Sequence, residues 1–253
     1  MLVDVHCHLA HITHDTIENI LYHAKEAGVT TIINNGTNPE DNKKSIALAK
    51  KYPSVKAALG FYPTDMLKMS EEEIEEEMAF IKKNKEEVIA LGEVGVDYHW
   101  ITDPAEQKRE RENFERVLAF AEKIKKPVIV HSRKAEKDTI DLLISSKLKK
   151  IVMHCFGGSM KLVPKVISAG WYFSIPTNVV RDSHFQKLSE IVPTSQLLTE
   201  TDAPFLGPER DVPNEPANIS KAIPVIAKIK GVTSEEMKKI IFLNYEKAFT
   251  TGL

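Results

Sequence analysis

Hydrophobic residues in this chain gather in short runs separated by longer amphipathic stretches. Eight such runs predict strands: Val3–His8, Thr31–Asn35, Val55–Phe61, Val88–Val94, Val128–His131, Ile151–Cys155, Tyr172–Ile175 and Gln196–Thr201. They are rich in Val, Ile and Leu and alternate little with polar residues. That is the pattern of parallel strands buried on both faces. The stretches between them carry helix starts. Asn38 precedes Pro39, Asp103 precedes Pro104-x-Glu106, and Ser70-x-x-Glu73 and Thr233-x-x-Glu236 are capping boxes. A further helix is predicted near Pro216–Lys230, after a proline-punctuated loop.

Eight strand–helix units in 253 residues predict an α/β protein of the (β/α)8 TIM barrel type, one domain over residues 1–253. No Gly-x-Gly-x-x-Gly follows a strand and no Walker-type loop is present, which argues against a nucleotide-cofactor fold. In a barrel of this kind chemistry sits where strands end and the following loops begin. The first strand ends in His6-Cys7-His8, and side chains two apart in a strand share a face. Reading the other strand ends adds Glu93, His131, His154 and Asp202. Burying four imidazoles and two carboxylates unpaired would cost several kcal/mol, so a shared partner is expected. The set suits two divalent metal ions with Glu93 bridging them. Imidazole favours Zn²⁺, Mn²⁺ or Co²⁺, and the carboxylates are equally compatible with Mg²⁺.

The period of two also singles out Asp4 and Glu200, each two residues before a ligand candidate and one layer deeper. A carboxylate there is placed to accept the free N–H of a ligating imidazole, or simply to serve as a buried polar pair. Cys7 alternates with the histidines and is expected to face the helices. His11, His14 and His23 are expected to be solvated or locally bonded. Trp100 and Phe205 either stack on a substrate base or pack against the fold.

Composition narrows the partners. Hydrophobic content of 42% with 28% charged residues is ordinary for a soluble globular chain, and no run reaches the roughly 20 apolar residues of a membrane span. Met1 is followed at once by the first strand, so no signal peptide is expected, and the two cysteines show no C-x-x-C spacing. These features predict a cytoplasmic protein with reduced thiols; no protein partner is implied by the sequence. A net charge of −2 gives no global attraction for polyanions, so phosphate contacts rest on cations that follow strands: Arg133, Lys161, Arg181 and Arg210.

The chain resembles the TatD-type metal-dependent deoxyribonucleases of the amidohydrolase superfamily over essentially its whole length. The resemblance rests on Asp4-Val-His-Cys-His-Leu9, Gly92-Glu-Val-Gly-Val-Asp-Tyr98, Pro127-Val-Ile-Val-His-Ser-Arg133, His154-Cys-Phe, Glu200-Thr-Asp-Ala-Pro-Phe-Leu206 and Asn214-Glu-Pro216. It implies a phosphodiesterase that shortens DNA from its 3′ end, acting on single-stranded ends. The residues at positions His6, His8, Glu93, His131, His154 and Asp202 would bind the metals. Two departures stand out. Tyr62 occupies the place of a histidine common in the third-strand motif and is expected to donate to a phosphate instead. Gly157-Gly158 replaces a hydroxyl-bearing residue followed by glycine.

The expected mechanism uses a metal-activated water, Asp202 as general base, Glu93 as bridging carboxylate, and Arg133 or Arg210 on a flanking phosphate. Two other readings share these residues. One is a metal-dependent esterase or amidohydrolase, for example on aminoacyl-tRNA. The other is a non-catalytic metal-binding interaction barrel.

Overall fold

The structure, a computed structural model, describes residues 1–250. Eight strands form one parallel sheet in sequential order. They are β1 (Leu2–Cys7), β2 (Val29–Asn35), β3 (Val55–Phe61), β4 (Val88–Asp97), β5 (Val128–Arg133), β6 (Ile151–Met153), β7 (Tyr172–Pro176) and β8 (Leu197–Glu200). The first and last strands lie side by side. Asp202 N donates to His6 O and His8 N donates to Ala203 O, both at 2.8 Å. With helices between successive strands this is the (β/α)8 barrel.

The strands run close to their expected limits, with differences at the catalytic end. β4 extends to Asp97 and β5 to Arg133 because the two continue to pair, Val96 opposite Ser132 and Asp97 opposite Arg133. β6 stops at Met153, after which Cys155 takes a φ of 41° and turns the chain. Near the C-terminus the predicted helix begins as a 3-10 turn, Pro216–Asn218, and continues as Ile219–Lys230. The four predicted caps are all present. Asn38, Ser70, Asp103 and Thr233 each accept a backbone N–H from the first turn, with full capping boxes at Ser70 and Thr233.

Two apolar layers hold the barrel. Inside it, Val3, Val5, Ile33, Ala58, Ala90, Ile129, Val152 and Leu198 meet one another, closed off by Phe249 of the helix Ser234–Phe249. Outside, a larger layer packs strands against helices, and Cys7 lies there, fully buried, as its alternation with the histidines requires. The apolar plug fills the barrel away from the strand C-termini, and the buried histidines gather at the other mouth.

Two glycines set the backbone there. A Cβ on Gly60 would lie 2.3 Å from Glu93 O, and one on Gly95 (φ 157°) would lie 1.9 Å from His131 O. Only glycine lets β3 and β5 approach β4 this closely, and that approach places Glu93 at the centre of the mouth.

Candidate metal centre

Glu93 lies between two pairs of imidazoles. Its Oε2 is 3.4 Å from His6 Nε2 and 3.3 Å from His8 Nε2. Its Oε1 is 2.7 Å from His131 Nδ1 and 3.7 Å from His154 Nε2. Asp202 closes the group, with Oδ1 3.7 Å from His6, 3.4 Å from His8 and 4.0 Å from His154. Asp202 takes a left-handed φ of 56° just beyond β8.

The outward-facing nitrogens show what the inward ones are for. His8 Nδ1 donates to Asn35 O at 3.0 Å, His154 Nδ1 to Glu200 Oε2 at 2.8 Å, and His131 Nε2 to Asp97 Oδ2 at 2.9 Å. Each of these bonds fixes the ring's orientation and leaves its other nitrogen facing the Glu93–Asp202 group. His6 and His8 bring their Nε2 atoms to 3.0 Å of each other, and the His6 ring stacks on His154 with centroids 3.6 Å apart. Three overlapping triads have ligand atoms within 4.8 Å of one another: His6–His8–Glu93, His6–His154–Asp202 and Glu93–His131–His154. This donor set fits divalent cations, with nitrogen and carboxylate ligands and oriented imidazoles.

The electrostatics follow from burial and pairing. Burial would raise the Glu93 carboxyl, but the neighbouring His6 and the bonds from His131, His6 and His8 hold it well below the ordinary range. For Asp202 burial likewise opposes ionisation, and the His8 bond with the neighbouring His154 overcomes it. His8 is held up to about 10 and His131 to about 9, burial being outweighed by Asp202 and Glu93 in the first case and by Asp97 and Glu93 in the second. Burial and neighbouring His154 push His6 down to about 3. Protons and metal cations therefore compete for the same nitrogens.

Glu200 stands where the period of two puts it, accepting from His154 Nδ1 and, at 2.5 Å, from the Ser174 hydroxyl. Asp4 does not. Its carboxylate accepts from Thr201 N at 2.9 Å, from the Thr201 hydroxyl and from the backbone N of His6 at 3.2 Å. The reason is a register irregularity between Asp4 and Cys7, which breaks strict alternation in β1 and turns Asp4 sideways onto the strand-8 end. Asp4 braces the β1–β8 seam and touches no imidazole ring nitrogen.

The centre opens into a cavity of about 820 Å³ lined by His8, His131, His154, Asp202 and the loops above them. Arg133 lines it; Arg210 is exposed and lies outside the lining. Tyr62 also lines it, but its hydroxyl donates to Asp97 Oδ2 at 2.9 Å, so its first partner is protein and not phosphate. Trp100 and Phe205 line the cavity and are not packed away.

Three residues at the site were not assigned a role from sequence. Asp97 orients His131. His11 lines the cavity, stacked on His8 with centroids 5.4 Å apart and bonded through Nε2 to Asp41 Oδ2 at 2.9 Å. Lys134 adds a second cation beside Arg133. Asp97 and Lys134 adjoin strand ends and could have been found by extending β4 and β5; His11 carried no local signal.

A (β/α)8 barrel with this set of histidines and carboxylates at its C-terminal mouth defines a metal-dependent hydrolase. The chain belongs to the TatD family: the profile of TatD-related DNases matches residues 3–250. Human deoxyribonuclease TATDN3 is 33% identical over 258 residues, covering 98% of this chain and 94% of that protein. An uncharacterized metal-dependent hydrolase of Methanocaldococcus jannaschii is 34% identical over 252 residues, covering 99% and 98%. Among solved structures, the TatD homologue YJJV of Escherichia coli superposes with a TM-score of 0.90 at 26% identity, covering 99% of this chain and 98% of that one. Among the described residues no helix is long and apolar enough to cross a membrane.

Proposed function

We propose that the protein is a phosphodiesterase that removes nucleotides one at a time from the 3′ end of single-stranded DNA in the cytoplasm. The observation that carries the two-ion centre is the division of Glu93. One carboxylate oxygen faces His6 and His8 while the other faces His131 and His154. DNA as substrate is supported by the family and by the deoxyribonuclease name of its human relative.

His6, His8, Glu93, His131, His154 and Asp202 would hold two divalent ions, which when bound polarise the phosphoryl oxygen and lower the pKa of the attacking water. Asp202, ionised and in contact with the cavity, accepts the proton of that water as its oxygen bonds to phosphorus. The P–O3′ bond breaks, and the terminal nucleotide leaves with the 5′ phosphate. Arg133 and Lys134 hold the flanking phosphate. Glu200 and Asp97 keep His154 and His131 turned to the centre throughout.

Shape favours ends over interior sites. The metal centre lies in a recess walled by strand-to-helix loops, and a continuous duplex of about 20 Å width cannot lower an internal phosphate into it. With few cations on this face, affinity should fall only shallowly with salt, by a slope of roughly 0.7 per phosphate contact. Linear and circular single-stranded DNA of equal length, incubated with a panel of divalent ions, decide the matter. Linear DNA should shorten from a 5′-labelled ladder while circles persist. Equal cutting of circles would make the enzyme an endonuclease, and cleavage of neither would favour a carbonyl-ester substrate.

A further inference from the structure

The cavity carries two large aromatic side chains that folding leaves uncovered. Trp100 is 60% exposed and Phe205 55% exposed, and both line the cavity over the metal centre. They come from the loops after β4 and β8, four strands apart in a ring of eight, so they stand on facing walls. Neither contributes its full apolar area to the core, and an exposed aromatic pair flanking a polar cavity marks a binding surface.

The backbone carrying each ring is anchored to the centre itself. Trp100 N donates to Asp97 Oδ1 at 3.2 Å, the carboxylate that also holds His131. The Arg133 guanidinium lies 5.6 Å from the Trp100 ring centroid, within cation–π range, and Lys134 lines the same cavity. Across the mouth, Phe205 N donates to Asp202 O at 2.8 Å, and Phe205 O accepts from Asn214 Nδ2 at 2.7 Å. The Phe205 ring meets His8 edge-on with centroids 6.5 Å apart. Each aromatic is thus tied by its backbone to a carboxylate residue of the site, which fixes its position relative to the reacting phosphate.

We infer that Phe205 and Trp100 are two nucleobase-stacking platforms, and that the site recognises unpaired nucleotides by the faces of their bases. Phe205, beside His8, takes the base next to the cut phosphate. Trp100, with Arg133 behind it, takes the neighbouring base while Arg133 and Lys134 meet its phosphate. Every base has a π face, so this recognition tolerates sequence but requires the base to be present and unstacked from a partner strand. The inference rests on the nuclease reading and adds to it the feature of the substrate that is read.

Trp171, the other tryptophan, is 3% exposed, so quenching of tryptophan fluorescence by a ligand reports on Trp100. The metal-loaded protein is titrated with a ten-residue oligothymidylate and with a ten-residue abasic oligomer of the same charge, both with cleavage-resistant phosphorothioate linkages. Fluorescein-labelled copies give dissociation constants by anisotropy for variants lacking Trp100. The oligothymidylate should quench saturably and bind at least about 30-fold more tightly than the abasic oligomer, about 5- to 150-fold for each stacked base. Trp100→Ala and Phe205→Ala should each erode that preference, while Trp100→Phe and Phe205→Tyr keep it. Equal binding of the two oligomers, or alanine variants with the wild-type preference, overturns the stacking inference and leaves the nuclease reading standing. Binding of neither oligomer by a protein that hydrolyses methyl p-nitrophenyl phosphate overturns both.

Discussion

Asp97 Oδ2 accepts the Nε2–H of His131 at 2.9 Å and, at the same distance, the hydroxyl of Tyr62. Its other oxygen takes the backbone N–H groups of His99 at 2.8 Å and Trp100 at 3.2 Å. One buried carboxylate therefore sets the tautomer of a ligand candidate and the course of the loop above it. An asparagine side chain in its place would offer one acceptor oxygen and one donor NH2, leaving two of these donors facing a donor. Asp97→Asn should lower metal affinity or activity by about 10- to 100-fold with the barrel intact. Metal titration and far-ultraviolet circular dichroism check it; wild-type metal affinity would count against the orienting role.

The double substitution His6→Ala, His8→Ala should lower the metal content of the dialysed protein and abolish nearly all turnover. These two nitrogens are 3.4 and 3.3 Å from Glu93 Oε2. The fold should persist, because residues at the C-terminal mouth serve chemistry more than stability. Elemental analysis after dialysis gives the readout, and unchanged metal would place the site elsewhere.

Asp202→Asn should lose about 10²- to 10⁴-fold in kcat with a much smaller change in KM. Asparagine still offers an oxygen to a cation but cannot accept a proton from the attacking water at neutral pH. A variant within a few-fold of wild-type turnover would remove Asp202 as the base.

Glu110 supports Asp97 from behind, its Oε2 accepting Asp97 N–H at 3.0 Å in a fully buried setting. Burial pushes its carboxyl from 4.5 up to about 7. An acid with a raised folded-state pKa binds more protons folded than unfolded, so its contribution to stability falls as pH rises from about 4.5 to 7. Glu110→Gln keeps an acceptor and cannot titrate. Relative to wild type it should gain stability between pH 5 and pH 8, by at most about 3 kcal/mol. Urea unfolding at the two pH values tests this; a pH-independent difference would exclude Glu110 as the titrating group.

Much of this molecule was legible one strand at a time. Hydrophobic runs, caps and their alternation specify eight strands and their helices, because periodicity and end signals are local properties of a chain. That His6, His8, Glu93, His131, His154 and Asp202 reach the same barrel mouth could be read off the strand ends for the same reason, and the place of Glu200 beneath His154 from the period of two. Contacts between strands are another matter. Asp4 obeys the same period on paper, yet the register irregularity in β1 turns it to Thr201. Asp97 meets His131 only because β4 and β5 go on pairing past their predicted ends. Arg210 follows a strand as Arg133 does, but only Arg133 lines the cavity, since the path of a long loop is decided by what it packs against. His11 reaches Asp41, thirty positions away, and Trp100 and Phe205 stay uncovered on facing walls. A strand's own pattern determines which residues reach the barrel mouth; stagger, register and loop packing, which involve distant parts of the chain, decide which of them meet.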